Sequence, residues 1–271
     1  MRSRAQFIET ADVRLNLQVT GRGAALLFVH GWALDQDMWQ PQLRGLAHCC
    51  RMVAFDRRGF GLSSGEPDIR KDVDDVLAIL EALAIARTAI VGMSQGARVA
   101  LRFAQRFPER VSCLILDGPP WPHATQETDE LPMQHYRELV AQQGLEAFRE
   151  QWLQHPFTRL HNGNASTITR LREIVARYPG HDLKHPEAQS ITHELDVTGV
   201  DIPVLVINGE HDSVVRLAAG AELTRSLPNA RHSIVAAAGH LPNLDNPAVY
   251  NSLLCDFVLG HGSTARDGTR G

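Results

Sequence analysis

Little in this sequence points to a membrane, a nucleic acid or an oxidising compartment. No stretch approaches the roughly 18 consecutive apolar residues of a transmembrane helix, and the N-terminal residues lack the apolar core of a signal peptide. The formal net charge of −4 over 271 residues provides no basic surface for nucleic-acid binding. Four cysteines occur, and the adjacent pair Cys49 and Cys50 is poorly placed for a disulfide. These absences predict a cytoplasmic protein with reduced cysteines and no nucleic-acid or membrane partner.

Short β-type runs alternate with helical patterns along most of the chain, which is typical of an α/β fold with a mostly parallel sheet. An opening hairpin is predicted before residue 25. Further strands are predicted at 25–30, 51–56, 88–93, 111–117, 203–209 and 231–239. Helices are predicted near 38–47, 70–84, 95–107, 215–227 and 244–258. Several strands are almost continuously apolar, as expected where helices cover both faces of the sheet.

The alternation stops between residues 118 and 199, where two amphipathic helical patterns lie among loops rich in Pro, Gly and Asn. This region predicts a helical cap inserted between the sixth and seventh strands, over the edge where open α/β sheets bind ligands. The core would then comprise residues 1–117 and 200–260. The polar, Gly-rich segment 261–271 predicts a disordered tail.

The stretch "GMSQG" around Ser94 joins an apolar run to a helical pattern. This G-x-S-x-G motif is typical of a strand-to-helix turn that exposes a nucleophilic serine. The glycines suit such a turn because a Cβ would crowd the strained backbone. The N–H of Gln95 would lie at a helix N-terminus, where the helix dipole favours a developing oxyanion. A structural serine in a strand–helix turn is the alternative that this stretch alone leaves open.

A nucleophilic serine needs a base and an acid that orients the base. Asp212 follows one apolar strand and His240 follows the next, so a parallel sheet would bring both to the edge that carries the serine. Asp117, which also ends a strand, is a second candidate for the acid. The turn "HGW" after an earlier strand offers the N–H of Trp32 as another oxyanion donor.

With these residues in place the sequence resembles the α/β-hydrolase superfamily over about residues 5 to 259, apart from most of the predicted cap. The motifs that carry the resemblance are "HGWALDQDMW", "DRRGFGLSS", "GMSQGARVALRFAQRFPERV", "INGEHDSVV" and "AAGHLPNLDNP". The resemblance implies a nucleophile at Ser94, a base at His240 and an acid at Asp212. It also implies an oxyanion hole formed by the N–H groups of Trp32 and Gln95.

Within that superfamily the sequence looks most like capped serine esterases and lactonases, including enol-lactonases. This implies hydrolysis of a small or medium carboxylic ester or lactone through an acyl-enzyme, without a cofactor. The same triad supports carbon–carbon hydrolysis, a pyruvate-eliminating lyase reaction or perhydrolysis with haloperoxidase-like activity. A receptor that uses the fold as a ligand pocket is the non-enzymatic alternative. The oligomeric state stays open.

The substrate pocket is predicted to include Trp121, Met133 and Trp152 from the cap. Arg98, one helical turn after the serine, is a candidate for binding a substrate carboxylate, with a helix-surface ion pair as the alternative. His30, Asp56 and the two arginines after Asp56 are expected to organise loops instead of catalysing. The histidines of the cap lack the regular spacing of metal ligands, so no metal site is predicted.

Overall fold

Eight strands form one sheet in the computed structural model, which describes residues 6–120, 131–184 and 197–261. The strands are β1 Gln6–Glu9, β2 Arg14–Gly21, β3 Ala24–Val29, β4 Cys50–Phe55, β5 Thr88–Met93, β6 Val111–Asp117, β7 Val204–Gly209 and β8 Ala230–Val235. Their spatial order is β1-β2-β4-β3-β5-β6-β7-β8. β2 is antiparallel to both β1 and β4, and the remaining neighbours are parallel. The predicted hairpin and mostly parallel α/β sheet are therefore confirmed.

Helices follow most of the parallel strands. They are α1 Gln40–Gly45, α2 Ile69–Ala82, α3 Gln95–Arg106, α4 Met133–Gln143, α5 Leu145–Trp152, α6 Ala165–Arg177, α7 His181–Lys184, α8 Val214–Ser226, α9 Pro242–Asp245 and α10 Pro247–His261. Short 3-10 turns lie at Gln36–Trp39 and at Pro156–Thr158.

The apolar core lies on both faces of the sheet because side chains alternate along each strand. On β3, Leu26 and Phe28 face one apolar cluster, whereas Leu27 and Val29 face the other. The first cluster continues into α10 and the helices between β6 and β7, and the second is covered by α2, α3 and α8. This burial on both faces explains why the central strands are almost continuously apolar in sequence.

Two predicted elements are shorter or divided in the structure. The strand predicted at 231–239 ends at Val235, and a turn with Ala237 at φ +53° follows it. The helix predicted at 244–258 is two helices, because Pro247 disfavours helical backbone at the preceding Asn246. Asn246 accordingly has φ −136° and ψ 68°. The interruption at Asn246 leaves the short helix α9 just after His240.

The helical insert is the described segment 131–184 between β6 and β7, which carries α4, α5, α6 and α7. Its position agrees with the predicted insertion, while the division of the chain at 118 and 199 stays a prediction. The predicted tail, from residue 262 onward, lies outside the described residues. Among the helices that the structure describes, none is both long enough and apolar enough to cross a bilayer. The four cysteines are free, with Cys49 Sγ 3.6 Å from Cys255 Sγ.

Candidate active site

Ser94 occupies the sharp turn between β5 and α3. Its backbone has φ 51° and ψ −113°, outside the regions that most L-residues adopt. The turn is held because the Ser94 N–H donates to the carbonyl of Asp117 at 2.7 Å, and the Ser94 carbonyl accepts from Ala97 N–H at 3.0 Å. A Cβ at Gly96 would lie 2.3 Å from the carbonyl oxygen of Val29, so this position excludes a side chain. The strain at Ser94 is the feature expected of a nucleophile held by its surroundings.

His240 and Asp212 form a buried pair at the same edge of the sheet. His240 Nδ1 lies 2.9 Å from Asp212 Oδ1, and both side chains are almost fully buried. Burial raises the pKa of Asp212, but the attraction of His240 and hydrogen bonds from His240, Asn208 and the Ser213 N–H bring it below its usual value. Asp212 is therefore an ionised acceptor, which orients the imidazole of His240 through a proton on Nδ1. Nε2 of His240 is buried and has no hydrogen-bond partner among the described residues.

Asp117, the alternative acid, bonds elsewhere. Its Oδ2 accepts from the hydroxyl of Tyr250 at 3.0 Å, and the side chain is fully buried. Burial raises the pKa of Asp117 well above its usual value, and the nearby charge of Asp212 adds to that rise. The acid that contacts the imidazole is thus Asp212.

The imidazole of His240 is held between an aromatic ring and a glycine. The ring of Phe157, from the helical insert, stacks on it with centroids 4.1 Å apart. On another side, a Cβ at Gly118 would lie 2.7 Å from His240 Cε1. Arg216 joins these neighbours, since its guanidinium lies over the Phe157 ring at 4.9 Å and donates to the Gly118 carbonyl at 3.1 Å. Sequence reasoning missed all three residues, although a glycine directly after a strand end was a usable signal for Gly118.

Two main-chain segments approach Ser94 where oxyanion donors are expected. Gln95 begins α3, so its N–H has no acceptor within the helix. Gly31, which precedes Trp32, packs so closely on β5 that its Cβ position lies 3.4 Å from Ser94 Cβ. Arg57 braces both segments: its guanidinium donates to Gln95 Oε1 at 2.7 Å.

His30 has the structural role that the sequence predicted. Its Nε2 accepts from the Arg57 N–H at 2.9 Å, so Nδ1 carries the proton and lies 2.8 Å from the Gly31 carbonyl. Burial, together with the charge of Arg57, lowers the pKa of His30 to about 3. Asp56 likewise accepts from the N–H groups of Gln36 and Leu62. The loops around the oxyanion turn are therefore fixed by buried polar groups.

A cavity joins the serine, the histidine and the insert. The residues that line it are Trp32, Leu34, Met93, Ser94, Leu131, Trp152, Phe157, Thr158, His240 and Leu241. Trp152, one of the predicted pocket residues, lines this cavity, and its buried Nε1–H has no acceptor within the described chain. Met133 does not line this cavity; it packs half-buried against the core because it begins α4 beside the apolar cluster. Trp121 lies outside the described residues.

A family model described as the alpha/beta hydrolase fold matches residues 24–247, a span that includes the whole serine–histidine–aspartate arrangement. The chain belongs to the α/β-hydrolase family. A non-heme chloroperoxidase of Streptomyces lividans is 30% identical over 256 residues, covering 87% of this chain and 92% of that protein. The 3-oxoadipate enol-lactonase 2 of Acinetobacter baylyi is 28% identical over 255 residues, covering 89% and 91%. An esterase from Thermogutta terrifontis has a similar fold, with a TM-score of 0.80, 23% identity and coverage of 96% and 100%.

In this α/β-hydrolase, Arg98 is not among the residues that line the cavity described above, and its place in the substrate pocket stays a prediction. It lies on α3, half-buried, and makes no ion pair within the part of the chain that the structure describes, so the alternative of a surface ion pair also stays a prediction. Burial, together with the neighbouring charges of Arg216 and Arg102, lowers the pKa of Arg98 to about 10. Among the described residues, Arg98 therefore has no carboxylate partner, and it lies one turn from Ser94.

Proposed function

We propose that this enzyme hydrolyses a small or medium carboxylic ester or lactone through an acyl-enzyme on Ser94. One observation carries the proposal. Asp212 orients His240 through Nδ1, and the strained Ser94 shares one cavity with His240, whose Nε2 has no hydrogen-bond partner among the described residues. A serine needs such a base because its hydroxyl is a weak nucleophile at neutral pH.

Each group in the site then has one role in the reaction. The Oγ of Ser94 attacks the carbonyl carbon while Nε2 of His240 accepts its proton. The N–H groups of Trp32 and Gln95 donate to the oxyanion, and Asp212 stabilises the imidazolium. His240 returns the proton to the leaving alcohol, which generates the acyl-enzyme. His240 then deprotonates a water molecule as its oxygen attacks the acyl carbon, and it returns that proton to Ser94 Oγ when the bond from Oγ to the acyl carbon breaks and the acid is released.

The helical insert acts as a cap that shapes the substrate pocket. Leu131, Trp152 and Phe157 come from the insert, yet they line the cavity that contains Ser94. The Nε1–H of Trp152 has no acceptor among the described residues, which favours a substrate that presents an acceptor oxygen there, since a buried donor without a partner costs about 1–3 kcal/mol.

Replacement of the serine tests the proposal. Ser94→Ala should abolish hydrolysis of p-nitrophenyl acetate and butyrate, and labelling by a fluorophosphonate should map to Ser94 in peptide mass spectra. Ser226→Ala is the matched control, because the Ser226 hydroxyl only donates to a carbonyl at the end of α8. Esterase activity that persists in Ser94→Ala would refute the proposal, as would stoichiometric labelling of a wild-type protein that never turns over.

A second candidate is carbon–carbon hydrolysis or lyase chemistry on an acidic substrate by the same triad. Arg98 favours it, as a half-buried guanidinium without a carboxylate partner among the described residues, beside Arg216. A carboxylate of the substrate would complete this cluster through a charge-assisted hydrogen bond.

A substrate panel separates the candidates. It contains neutral esters, neutral and acidic lactones and ketonic diacids, and it includes a test for peroxide-dependent halogenation. An Arg98→Ala loss confined to acidic substrates supports the second candidate. Equal rates of Arg98→Ala and wild type on every acidic substrate exclude a role for this arginine.

A further inference from the structure

Trp32 joins the oxyanion turn to the helical insert. Its main chain follows Gly31 beside Ser94, but its side chain is buried among aromatic rings of the insert. The ring centroids of Trp152, Phe148 and Tyr178 lie 5.0, 5.6 and 5.8 Å from that of Trp32. One residue thus places its N–H at the site and its indole inside the insert.

A buried carboxylate holds this indole. The Nε1–H of Trp32 donates to Oδ2 of Asp182, and the hydroxyl of Tyr178 donates to Oδ1 of the same side chain. Asp182 is fully buried. Burial and the Asp182 charge keep the pKa of Tyr178 well above its usual value, so its hydroxyl remains a donor. Hydrogen bonds to a charged acceptor are the strong ones, so Asp182 fixes the orientation of the Trp32 ring.

The rest of the oxyanion turn is also attached to the insert. Arg177, next to Tyr178, donates to Asp35 at 2.8 Å and to Asp37 at 2.8 Å. Between these attachments, Ala33 has φ +55°, a backbone conformation unfavourable for a residue with a Cβ. The surroundings must therefore hold the turn in its conformation.

We propose that Asp182 is a positioning residue that, through the indole of Trp32, keeps the main-chain N–H of Trp32 in place to stabilise the oxyanion. The inference rests on the proposed function. It means that the oxyanion hole of the sheet is complete only with the helical insert in place, even though Asp182 is 150 residues from Trp32 in sequence.

The test uses Asp182→Ala and Trp32→Phe, which remove the acceptor and the donor of one hydrogen bond while keeping the main-chain N–H. Each should lower kcat for p-nitrophenyl butyrate about 10- to 100-fold, because removal of one oxyanion donor costs about 10²–10³ and misplacement costs less. KM should change less than about threefold, since the interaction forms in the transition state. Inhibition by butylboronic acid, whose serine adduct places an oxygen in the oxyanion hole, should weaken as much as kcat falls.

Three further variants show whether the effect passes through this bond. Asp182→Asn should recover most of kcat, because its Oδ1 accepts from Trp32 and its amide donates to Tyr178. The double variant Trp32→Phe/Asp182→Ala should be no slower than the slower single variant. Asn164→Ala removes the N-cap of α6 in the insert without touching Trp32. It should lower Tm by about 2–4 °C and leave kcat unchanged.

The outcomes also separate this inference from the function on which it rests. Activity that survives in Ser94→Ala refutes the serine mechanism itself. If activity depends on Ser94 but Asp182→Ala and Trp32→Phe keep wild-type kcat and boronate affinity, only the positioning role is refuted. An equal loss of kcat in Asn164→Ala would also refute it, because general loosening of the insert would then explain the effect.

Discussion

Gly118 should control the position of the His240 imidazole, the proposed base, and Gly118→Ala tests this directly. The glycine follows β6 with φ +52°, and its N–H donates to the carbonyl of Ile207 at 2.8 Å. A Cβ there would lie 2.7 Å from His240 Cε1, 3.0 Å from Nδ1 and 3.6 Å from Asp212 Oδ2. The added methyl group therefore enters the space of the histidine and not that of a flexible surface chain.

The size of the effect follows from these distances. Carbon atoms in contact prefer about 3.5–4.0 Å, so the imidazole must retreat by about 0.8 Å or more. Phe157 stacks on the ring at 4.1 Å and limits that retreat. A displacement of about 1 Å at a reacting group costs about 10²-fold in rate, so kcat should fall about 100-fold. The positive φ should separately lower the free energy of unfolding by about 1–2 kcal/mol.

The assay compares kcat, KM and Tm of Gly118→Ala with those of Gly199→Ala. Gly199 also has a positive φ, +77°, but no atom of the described residues lies within 4 Å of its Cβ position. Both variants should lose stability, whereas only Gly118→Ala should lose kcat. A Gly118→Ala enzyme with wild-type kcat would show that the imidazole tolerates the methyl group and would refute the argument.

Three other predictions follow from the buried polar groups. Asp212→Asn should lower kcat about 10⁴-fold by favouring the wrong imidazole tautomer, whereas the kcat of Asp117→Asn should stay within about threefold of wild type. Steady-state kinetics of both variants show which carboxylate orients the imidazole. His30, with a pKa near 3 in place of 6.5, adds stability that is present above about pH 6.5 and lost as the pH falls toward 3, by up to about 1.4 kcal/mol per pH unit. Burial raises the pKa of Asp35 to about 7, so its contribution is present below about pH 4 and lost as the pH rises. The free energy of unfolding in urea should be measured between pH 4 and 6.5. Its decrease toward acid pH should be shallower in His30→Gln and steeper in Asp35→Asn than in wild type. A pH dependence that neither variant changes would contradict both pKa shifts. Trp152→Phe should raise KM at least threefold for substrates that accept from the indole, with little change in kcat, and an unchanged KM across the substrate panel would count against that contact.

The site residues that sequence predicted best are those fixed by local geometry. Ser94 lies in a turn whose glycines mark the close backbone approach, and Asp212 and His240 each follow a parallel strand. Since the carboxyl ends of parallel strands meet at one edge, chain order was enough to predict their proximity. Chain order could not choose between Asp212 and Asp117, because each lies at the end of a strand. That choice depends on the contacts of the imidazole and of Tyr250.

Residues of the insert were much less predictable. Amphipathic periodicity indicates that a helix buries one face but not which surface it covers. Met133 and Trp152 both lie on apolar faces of insert helices, yet only Trp152 reaches the described cavity. Phe157 lies in a short 3-10 turn with no periodic signal. In sequence, Asp182 cannot be distinguished from a surface carboxylate; only the structure shows that Trp32 and Tyr178 donate to it.

The sheet-edge residues are more predictable than those of the helical insert for a physical reason. The chemistry depends on loops anchored to a hydrogen-bonded sheet, so small sequence motifs determine their geometry. The pocket depends on side-chain packing between segments far apart in the chain, such as Trp32 with Asp182 and His240 with Phe157. Substitutions that reshape the insert around Trp152 should therefore change which substrate is accepted. Those that release Trp32 should slow the chemical step for every substrate, because the oxyanion is common to all of them.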